Sequence, residues 1–172
     1  NGRVYDRLGI SRPENADRGR IAGVELTYQN YFTFLPAPFD GFGVNVNYTA
    51  TDSSVTVFGR NDELPFFKQS DHIGNVALLY EKFGVAAQAS VSFQSPSLGS
   101  VGANADRDGY DDAYHVVDLK VSAPIARGLR ALVEASNITD QHRLVYAGTP
   151  DRRTADERYS WNLYVGLDWR LR

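Results

Sequence analysis

The stretch that most constrains this chain is Gly41–Ser54, GFGVNVNYTATDSS, because apolar and polar residues alternate along almost its whole length. Alternation with a period of two predicts a β-strand with one apolar and one polar face. The apolar positions include Phe42, Val44, Val46 and Tyr48, and the polar positions include Asn45, Asn47 and Thr49. The apolar face contacts either the core of a soluble protein or lipid, and that choice decides which functions are open to the chain.

Seven strands with this kind of pattern are predicted. They cover about 20–34, 41–54, 72–80, 84–94, 114–123, 129–137 and 158–171. The aromatic fraction of 12% and the 15 glycines favour an all-β fold. No apolar run approaches the roughly 20 residues that a membrane helix needs, but a barrel wall has no such run either, because polar residues interrupt it.

Composition also excludes several classes of function. The chain has 172 residues and no cysteine, so it has no disulfide, zinc-thiolate site or thiol nucleophile. A formal net charge of -3 argues against a nucleic-acid binder, which usually has a basic patch. The residues also contain no Gly-rich phosphate loop, no G-x-S-x-G and no H-E-x-x-H, so catalysis is not predicted.

The connections between predicted strands alternate between short and long. Short turns at one end and long loops at the other are typical of outer-membrane barrels, as are strands of 9–11 residues with aromatics near their ends. A soluble β-sandwich also alternates and carries some aromatics, because its two apolar faces meet. The pattern favours the antiparallel transmembrane β-barrel and leaves the sandwich binding module as the alternative.

Six segments, in this order, resemble the C-terminal part of TonB-dependent outer-membrane receptors. They are RPENADRGRIAGVELTYQ (12–29), FDGFGVNVNYTATDS (39–53), LLYEKFGVAAQASVSFQS (78–95), VVDLKVS (116–122), LRALVEASNITDQ (129–141) and RYSWNLYVGLDWRL (158–171). Together they cover most of the chain. The first two are most similar to the branch abundant in Xanthomonas- and Caulobacter-type bacteria.

This resemblance implies that residues 1–172 are the C-terminal portion of a receptor barrel of roughly 22 strands in the bacterial outer membrane. It implies partners that this chain does not contain: a plug domain, the remaining strands and the TonB energising complex, besides lipid, lipopolysaccharide and a nutrient ligand. The implied activity is energised uptake of a carbohydrate, which is favoured, or of a ferric siderophore. A passive porin-like channel is the alternative. The family usually ends in an aromatic residue, whereas Leu171 stands there in this sequence, with Arg172 beyond.

The resemblance also implies an orientation. The turns at 35–41, 81–84 and 124–128 become periplasmic, and the segments 1–18, 55–69, 96–112 and 138–157 become extracellular loops. The expected lipid-facing residues are Phe42, Val44, Val46, Tyr48, Val85, Val91, Phe93, Trp161, Leu163, Val165, Leu167 and Trp169. The expected lumen-facing residues are Glu25, Asn45, Asn47, Thr49, Gln88 and Asn162.

Several loop residues are candidates for binding. Asn104, Asp106 and Asp108 alternate before Gly109, with Asp112 at the ninth position, which is the spacing of the first half of a calcium loop. The twelfth position is His115 instead of the usual Glu, and a solvated turn explains the same residues.

Phe66, Phe67 and Tyr110 could stack on a ligand, and Arg152 and Arg153 could hold an anion. His72, His115 and His142 could contact a metal chelate. No cofactor is required.

Overall fold

The computed structural model describes residues 18–170. The first seventeen residues, which include most of the predicted loop 1–18, lie outside the described part, as do Leu171 and Arg172. Twelve strands and two 3₁₀ turns lie within it. The strands are β1 Arg18–Tyr31, β2 Phe42–Thr56, β3 Glu63–Leu64, β4 His72–Lys82, β5 Val85–Gln94, β6 Ser97–Ser100, β7 Gly109–Asp111, β8 Tyr114–Ala126, β9 Leu129–Ser136, β10 Arg143–Ala147, β11 Arg153–Glu157 and β12 Asn162–Trp169, and the turns are Phe39–Gly41 and Ala105–Arg107.

The seven long strands form one antiparallel sheet, which we call the wall, in the order β1-β2-β4-β5-β8-β9-β12. Each long strand pairs with the next long strand along the chain, and the short β3 pairs antiparallel with the end of β2. The seven predicted strands are therefore confirmed, and so is the antiparallel all-β fold. The wall is open, with β1 and β12 at its two edges.

The prediction was least accurate at the two ends of the described chain. The first strand ends at Tyr31 instead of continuing to Phe34, because the chain turns back where the Leu35 N–H bonds the Phe32 carbonyl. The last strand begins at Asn162 instead of Arg158. Ser160 has a φ of 59°, outside the extended region, and this conformation interrupts the strand before Trp161.

The connections 83–84 and 127–128 are tight turns, whereas the connection 32–41 is longer and contains a 3₁₀ turn. Strand β8 continues to Ala126, so most of the predicted turn 124–128 is strand. Between β4 and β5, Phe83 and Gly84 have φ values of 54° and 78°. Two successive residues with positive φ are typical of a type I′ turn, whose twist matches that of the flanking strands. The other end of the wall carries long connections, of which 57–71, 95–113 and 137–161 separate consecutive wall strands.

A second sheet is the main feature that the sequence did not predict. Strands β11, β10, β7 and β6 pair in that order, and we call them the loop sheet. They lie in segments 96–112 and 138–157, which were predicted as loops. Most of the buried apolar side chains of the described residues lie in the long connections: Leu98 and Tyr146 in the loop sheet and Leu64 in β3, with Ala77 the remaining one in the wall.

The register of the wall gives it two chemically distinct faces. Val46, for example, pairs with Tyr28 and Val76, and Val76 pairs with Val91. Directly paired residues lie on the same face of a sheet, so these rows form one apolar face from β1 to β12. Its side chains are well exposed: Val24 is 71% and Val165 is 66% exposed.

The opposite face is polar and contains the hollows of the wall. One row pairs Thr27 with Asn47, Asn47 with Asn75, and Asn75 with Ser92. A hollow of about 230 Å³ is lined by Asn47, Asn75 and Ser92 among others, and further hollows lie beside Gln88 and Lys120. The polar face is therefore the hollowed one, and the apolar face is presented outward.

Candidate functional site

Three long loops meet above the polar face and form one structure. Within the loop sheet, Tyr110 of β7 pairs with Tyr146 of β10, which brings the loops 95–113 and 137–161 together. The loop 57–71 joins the far side, where the Lys68 N–H donates to the Leu98 carbonyl at 2.8 Å. Main-chain hydrogen bonds between loops fix their relative positions, because each bond satisfies groups that would otherwise lack partners.

Asp108 connects two of these loops through a buried ion pair. Arg60 donates from Nη1 to Oδ1 at 2.7 Å and from Nη2 to Oδ2 at 2.9 Å, and the Gly102 N–H also donates to Oδ1 at 2.7 Å. The side chains of Arg60 and Asp108 are 5% and 1% exposed. The hydrogen bonds from Arg60 lower the pKa of Asp108 against the opposing effect of burial, so the carboxylate stays ionised.

Asp111 is a second ionic connection. Its Oδ2 accepts from Lys68 Nζ at 2.5 Å, and its Oδ1 accepts from Arg143 Nη2 at 2.8 Å. Arg143 also lies 3.3 Å from Glu157, which accepts a hydrogen bond from the Tyr159 hydroxyl. Burial opposes ionisation of Asp111, but Lys68 and Arg143 outweigh it and lower the pKa. The carboxylate of Asp111 thus connects its own loop, 95–113, to the loops 57–71 and 137–161.

Tyr110 and Tyr146 stack between these two ionic connections. Their ring centroids are 5.3 Å apart and their planes differ by 15°. Burial raises the pKa of both hydroxyls. The stacked pair supplies much of the apolar packing inside the loop sheet.

The candidate binding site is a hollow of about 510 Å³ between the loop sheet and the polar face, which we call the mouth pocket. Lys68, Asp111 and Arg143 line it from the loops. Gln94 and Asn162 line it from the wall, on the polar face. Its volume falls within the range of about 300–1,000 Å³ that is typical of small-molecule sites.

Five loop residues chosen from the sequence as ligand contacts lie outside the mouth pocket, whereas Asp112 and His142, chosen as possible metal contacts, line it. Phe67 is exposed, and Lys68 Nζ lies 5.6 Å from its ring centroid. Tyr110 packs on Tyr146, Arg152 donates to the Asp106 carbonyl at 2.9 Å, and Arg153 begins β11. Phe66 lies against β1, where a Cβ placed on Gly19 would be 2.9 Å from its ring. These five residues support the loops and do not line the pocket.

The calcium spacing has a different structural explanation. Asp108 gives its carboxylate to Arg60 and Gly102, while Asp112 accepts from the adjacent Ala113 N–H. Asp106 is exposed within the 3₁₀ turn Ala105–Arg107, and Asn104 is exposed directly before it. Among residues 18–170, no group of three His, Cys, Asp or Glu side chains could hold a metal ion. The alternating acids are therefore distributed among separate contacts, and a guanidinium takes the place predicted for the cation at Asp108.

The three histidines are separated. His72 Nδ1 lies 2.9 Å from the Tyr48 hydroxyl, and His115 pairs with Phe93 on the apolar face. His142 lines the mouth pocket, with Nδ1 3.0 Å from Asp156.

By register, the residues assigned from the sequence to lipid and to the lumen lie on opposite faces of the wall, and which face contacts lipid stays a prediction. Glu25 pairs with Thr49, Asn45 with Ala77, and Gln88 with Leu79, all on the polar face. Trp161 precedes β12, and Leu163, Val165, Leu167 and Trp169 occupy the apolar positions of that strand.

The mouth-pocket residues that sequence reasoning missed carry no local signal. Lys68 is 43 residues from Asp111, and Arg143 is 32 residues from it. Only the pairing of the loops brings them together. A search for oppositely charged residues at the ends of β7 and β10 could have found the pair Asp111 and Arg143. That search was not open to us, because neither strand was predicted from the sequence.

A meandering antiparallel wall with an exposed apolar face, a hollowed polar face and long structured loops at one end defines the wall of an outer-membrane β-barrel. A family model, TonB dependent receptor-like beta-barrel, matches residues 1–138. The chain belongs to this family of TonB-dependent receptor barrels, and its location is the outer membrane. The family is one of receptors and transporters, which is consistent with a protein that is not an enzyme.

Among solved structures, the chain is similar to the ferric citrate transporter FecA in its unliganded form, with 17% sequence identity and a TM-score of 0.66. The match covers 87% of this chain and 24% of that one, so the chain spans about a quarter of the length of that transporter. No curated protein matches the chain. No helix among residues 18–170 is long and apolar enough to cross a membrane.

Proposed function

We propose that this chain is the C-terminal portion of the barrel of an energised outer-membrane receptor that binds and imports a scarce nutrient. In this proposal residues 1–172 supply about seven of roughly 22 strands. The observation that carries it is the division of one sheet into an exposed apolar face and a hollowed polar face with a pocket under its loops. That arrangement supports a wall with lipid outside, a transport path inside and a capture site at the mouth.

The apolar face is the one that contacts lipid in this proposal. Exposed apolar side chains continue from Val24 in β1 to Leu167 in β12, whereas soluble monomers rarely expose a large contiguous apolar patch. Lipid removes the cost of that exposure, because apolar surface is unfavourable in water and not in hydrocarbon. Lipopolysaccharide contacts the same rim on the loop side.

The polar face lines the lumen in this proposal. Asn45, Asn47 and Thr49 are presented there with Gln88 and Asn162. The two open edges, β1 and β12, pair with further strands of the receptor, because an unpaired strand edge in lipid leaves backbone groups without hydrogen bonds. The plug domain occupies the lumen, and the TonB complex acts through that domain.

The ligand is captured at the mouth pocket. The PEN-to-GVEL and DGFGVNVNYT segments support a receptor of the Xanthomonas- and Caulobacter-type branch, and that branch supports either a carbohydrate or a ferric siderophore.

The test is uptake by cells that carry or lack the full-length receptor. Growth is measured on hydrolysed plant and algal polysaccharides as the carbon source, and on ferric chelates as the iron source, with and without a proton uncoupler. We expect one nutrient to support growth only with the receptor and only in energised cells. Equal uptake with the uncoupler would identify a passive channel, and equal growth without the receptor would contradict import by this protein.

A further inference from the structure

The charges of the mouth pocket already neutralise one another. Its lining includes the cations Lys68 and Arg143 and the carboxylates Asp111 and Asp112. Both cations bond the same carboxylate, at 2.5 and 2.8 Å, and Arg143 has Glu157 as a further partner at 3.3 Å. The loop cations at this site are therefore committed to protein carboxylates, in contrast to a site built to hold an anion, which keeps its cations for the ligand.

An anionic ligand would have to take Lys68 or Arg143 away from Asp111. Asp111 is a buried residue, at 8% exposure, so the exchange would leave a carboxylate without its partners in a poorly solvated place. Removing one partner of such a pair is unfavourable, because the remaining charge has lost its compensation and has not regained water. The pocket therefore discriminates against anions.

The remaining polar groups suit a neutral ligand with many hydroxyls. Gln94 and Asn162 present amides, and Ser160 presents a hydroxyl, at the pocket surface. Amides and hydroxyls both donate and accept, which matches the double role of a sugar hydroxyl. Tyr114 and Tyr159 are exposed residues, at 37% and 67%, and their rings offer flat apolar surfaces beside these groups.

The neutral surface continues from the mouth pocket along the wall. The adjoining hollow of about 230 Å³ shares Ile73, Gln94 and Tyr114 with the pocket. From β2 to β8 the two polar-face rows there are uncharged; they are Thr49–Ile73–Gln94–Tyr114 and Asn47–Asn75–Ser92–Val116. Charges border this surface at Glu25 of β1, which pairs with Thr49, and in the next row at Asp118, opposite Ser90. An elongated neutral ligand can therefore lie across both hollows.

We propose that the mouth pocket and the adjoining hollow bind a neutral oligosaccharide in preference to an anionic ferric chelate. This inference rests on the proposed function, because it assigns a substrate class to the same site. The ferric citrate named for FecA is anionic, so we expect this receptor to differ from that transporter in its ligand.

The test uses the full-length receptor purified in detergent. It is screened against an array of neutral plant and algal oligosaccharides, and its binding of ferric citrate and a ferric catecholate is measured by calorimetry. We expect at least one neutral oligosaccharide to bind, with an affinity that stays constant between roughly 0.05 and 0.5 M NaCl, because no charge is screened. Binding of either ferric anion without binding of any neutral oligosaccharide would overturn the inference, and so would no binding to the array.

Substitutions in the mouth pocket test where the ligand binds and which residue excludes anions. Asn162→Ala and Gln94→Ala should each weaken oligosaccharide binding by about fivefold to tenfold, the effect of one lost hydrogen bond. Unchanged affinity in both would overturn the assigned site. Asp111→Asn should raise the affinity for ferric citrate by releasing Lys68 and Arg143, whereas the exposed Asp106→Asn in the same loop is the matched control.

The outcomes separate this inference from the proposed function. Energised import of a ferric chelate would support the receptor and overturn the substrate class. Oligosaccharide binding at the mouth pocket without energised import would support the substrate class and contradict the transport function.

Discussion

Two aspartates determine how the loops are held together. Asp108 bonds Arg60 and Gly102, and Asp111 bonds Lys68 and Arg143. Both carboxylates are buried and fully partnered, which is the condition under which a buried charge is tolerated. The loop sheet is therefore held by ionised side chains in addition to its backbone ladders.

Replacing Asp108 should open the loops without affecting the wall. In Asp108→Asn, Arg60 exchanges one of its two carboxylate partners for a neutral amide, keeps Asp62 as the other, and remains nearly inaccessible to water. We expect the amides of the loop 101–108 to exchange hydrogen about tenfold faster, since hydrogen bonds to charged groups are the strong ones. Exposed Asp106→Asn is the control, and equal exchange rates in both variants would contradict a structural role for this ion pair.

The two aspartates also predict a pH dependence. Their pKa values are lowered in the folded state, so their stabilisation is present above the ordinary aspartate pKa of about 3.9 and is lost as the pH falls through the folded value. Pepsin cleavage of the loops, corrected for the pH dependence of pepsin on an unfolded substrate, should stay low near pH 5 and rise below about pH 4. Opening already between about pH 5 and 7 would contradict the assignment of this pH dependence to the two aspartates.

At these positions the sequence revealed the residue types and not their partners. Asp108 was noticed because of its local spacing, and that spacing indicated calcium. Its actual partner, Arg60, is 48 residues away, and nothing near Asp108 in the sequence identifies it. Ionic contacts between loops depend on tertiary pairing, which a periodic pattern does not encode.

The long strands follow the alternation of apolar and polar residues closely. Val46 and Asn47 are neighbours in β2, and they lie on opposite faces of the wall. The seven wall strands were predictable because each contains enough residues to show the period. By contrast, β7 has three residues, Gly109–Asp111, which is too short for any period to appear. The loop strands are defined by their partners instead.

A charge placed on either face of β2 tests the lipid assignment. We expect Val46→Asp to impair insertion of the full-length receptor, because a charged side chain on the lipid face destabilises a barrel near the membrane centre. The loss of stability is about 2–4 kcal/mol for Arg or Lys, and it is smaller for Asp. Asn47→Asp places the same charge one residue away on the polar face and should insert normally. Insertion is followed by the heat-dependent shift in gel mobility. Equal insertion of both variants would contradict the assignment.

Packing within the loop sheet can be tested at Leu98. Its side chain is 1% exposed in β6, and Leu98→Ala should reduce the local stability by about 2–5 kcal/mol, the usual effect of a cavity at a buried leucine. Hydrogen exchange at the amides of β6 and β7 reports that loss. Val101→Ala, in the same loop and 42% exposed, is the control and should exchange as the parent does. Slow exchange in both variants would mean that Leu98 does not hold this sheet.

The molecule as a whole presents an open sheet whose edge strands need partners. The similarity to about a quarter of FecA fits a segment of a larger barrel. When the receptor is extracted from outer membranes without heating, we expect a species several times larger than the 19.1 kDa of this chain. A water-soluble species of about this mass would contradict the proposed receptor and favour a soluble β-sandwich.

Pairing between loops has an evolutionary consequence. Because β7 bonds β10, and the loop 57–71 bonds β6, a substitution in one loop changes the partner surface of another. Homologues that acquire new specificity should therefore exchange these three loops as a set, with correlated changes at pairs such as Asp111 and Arg143. An engineer who transplants a single loop would leave a strand edge and a buried carboxylate without partners, so a graft should carry all three loops.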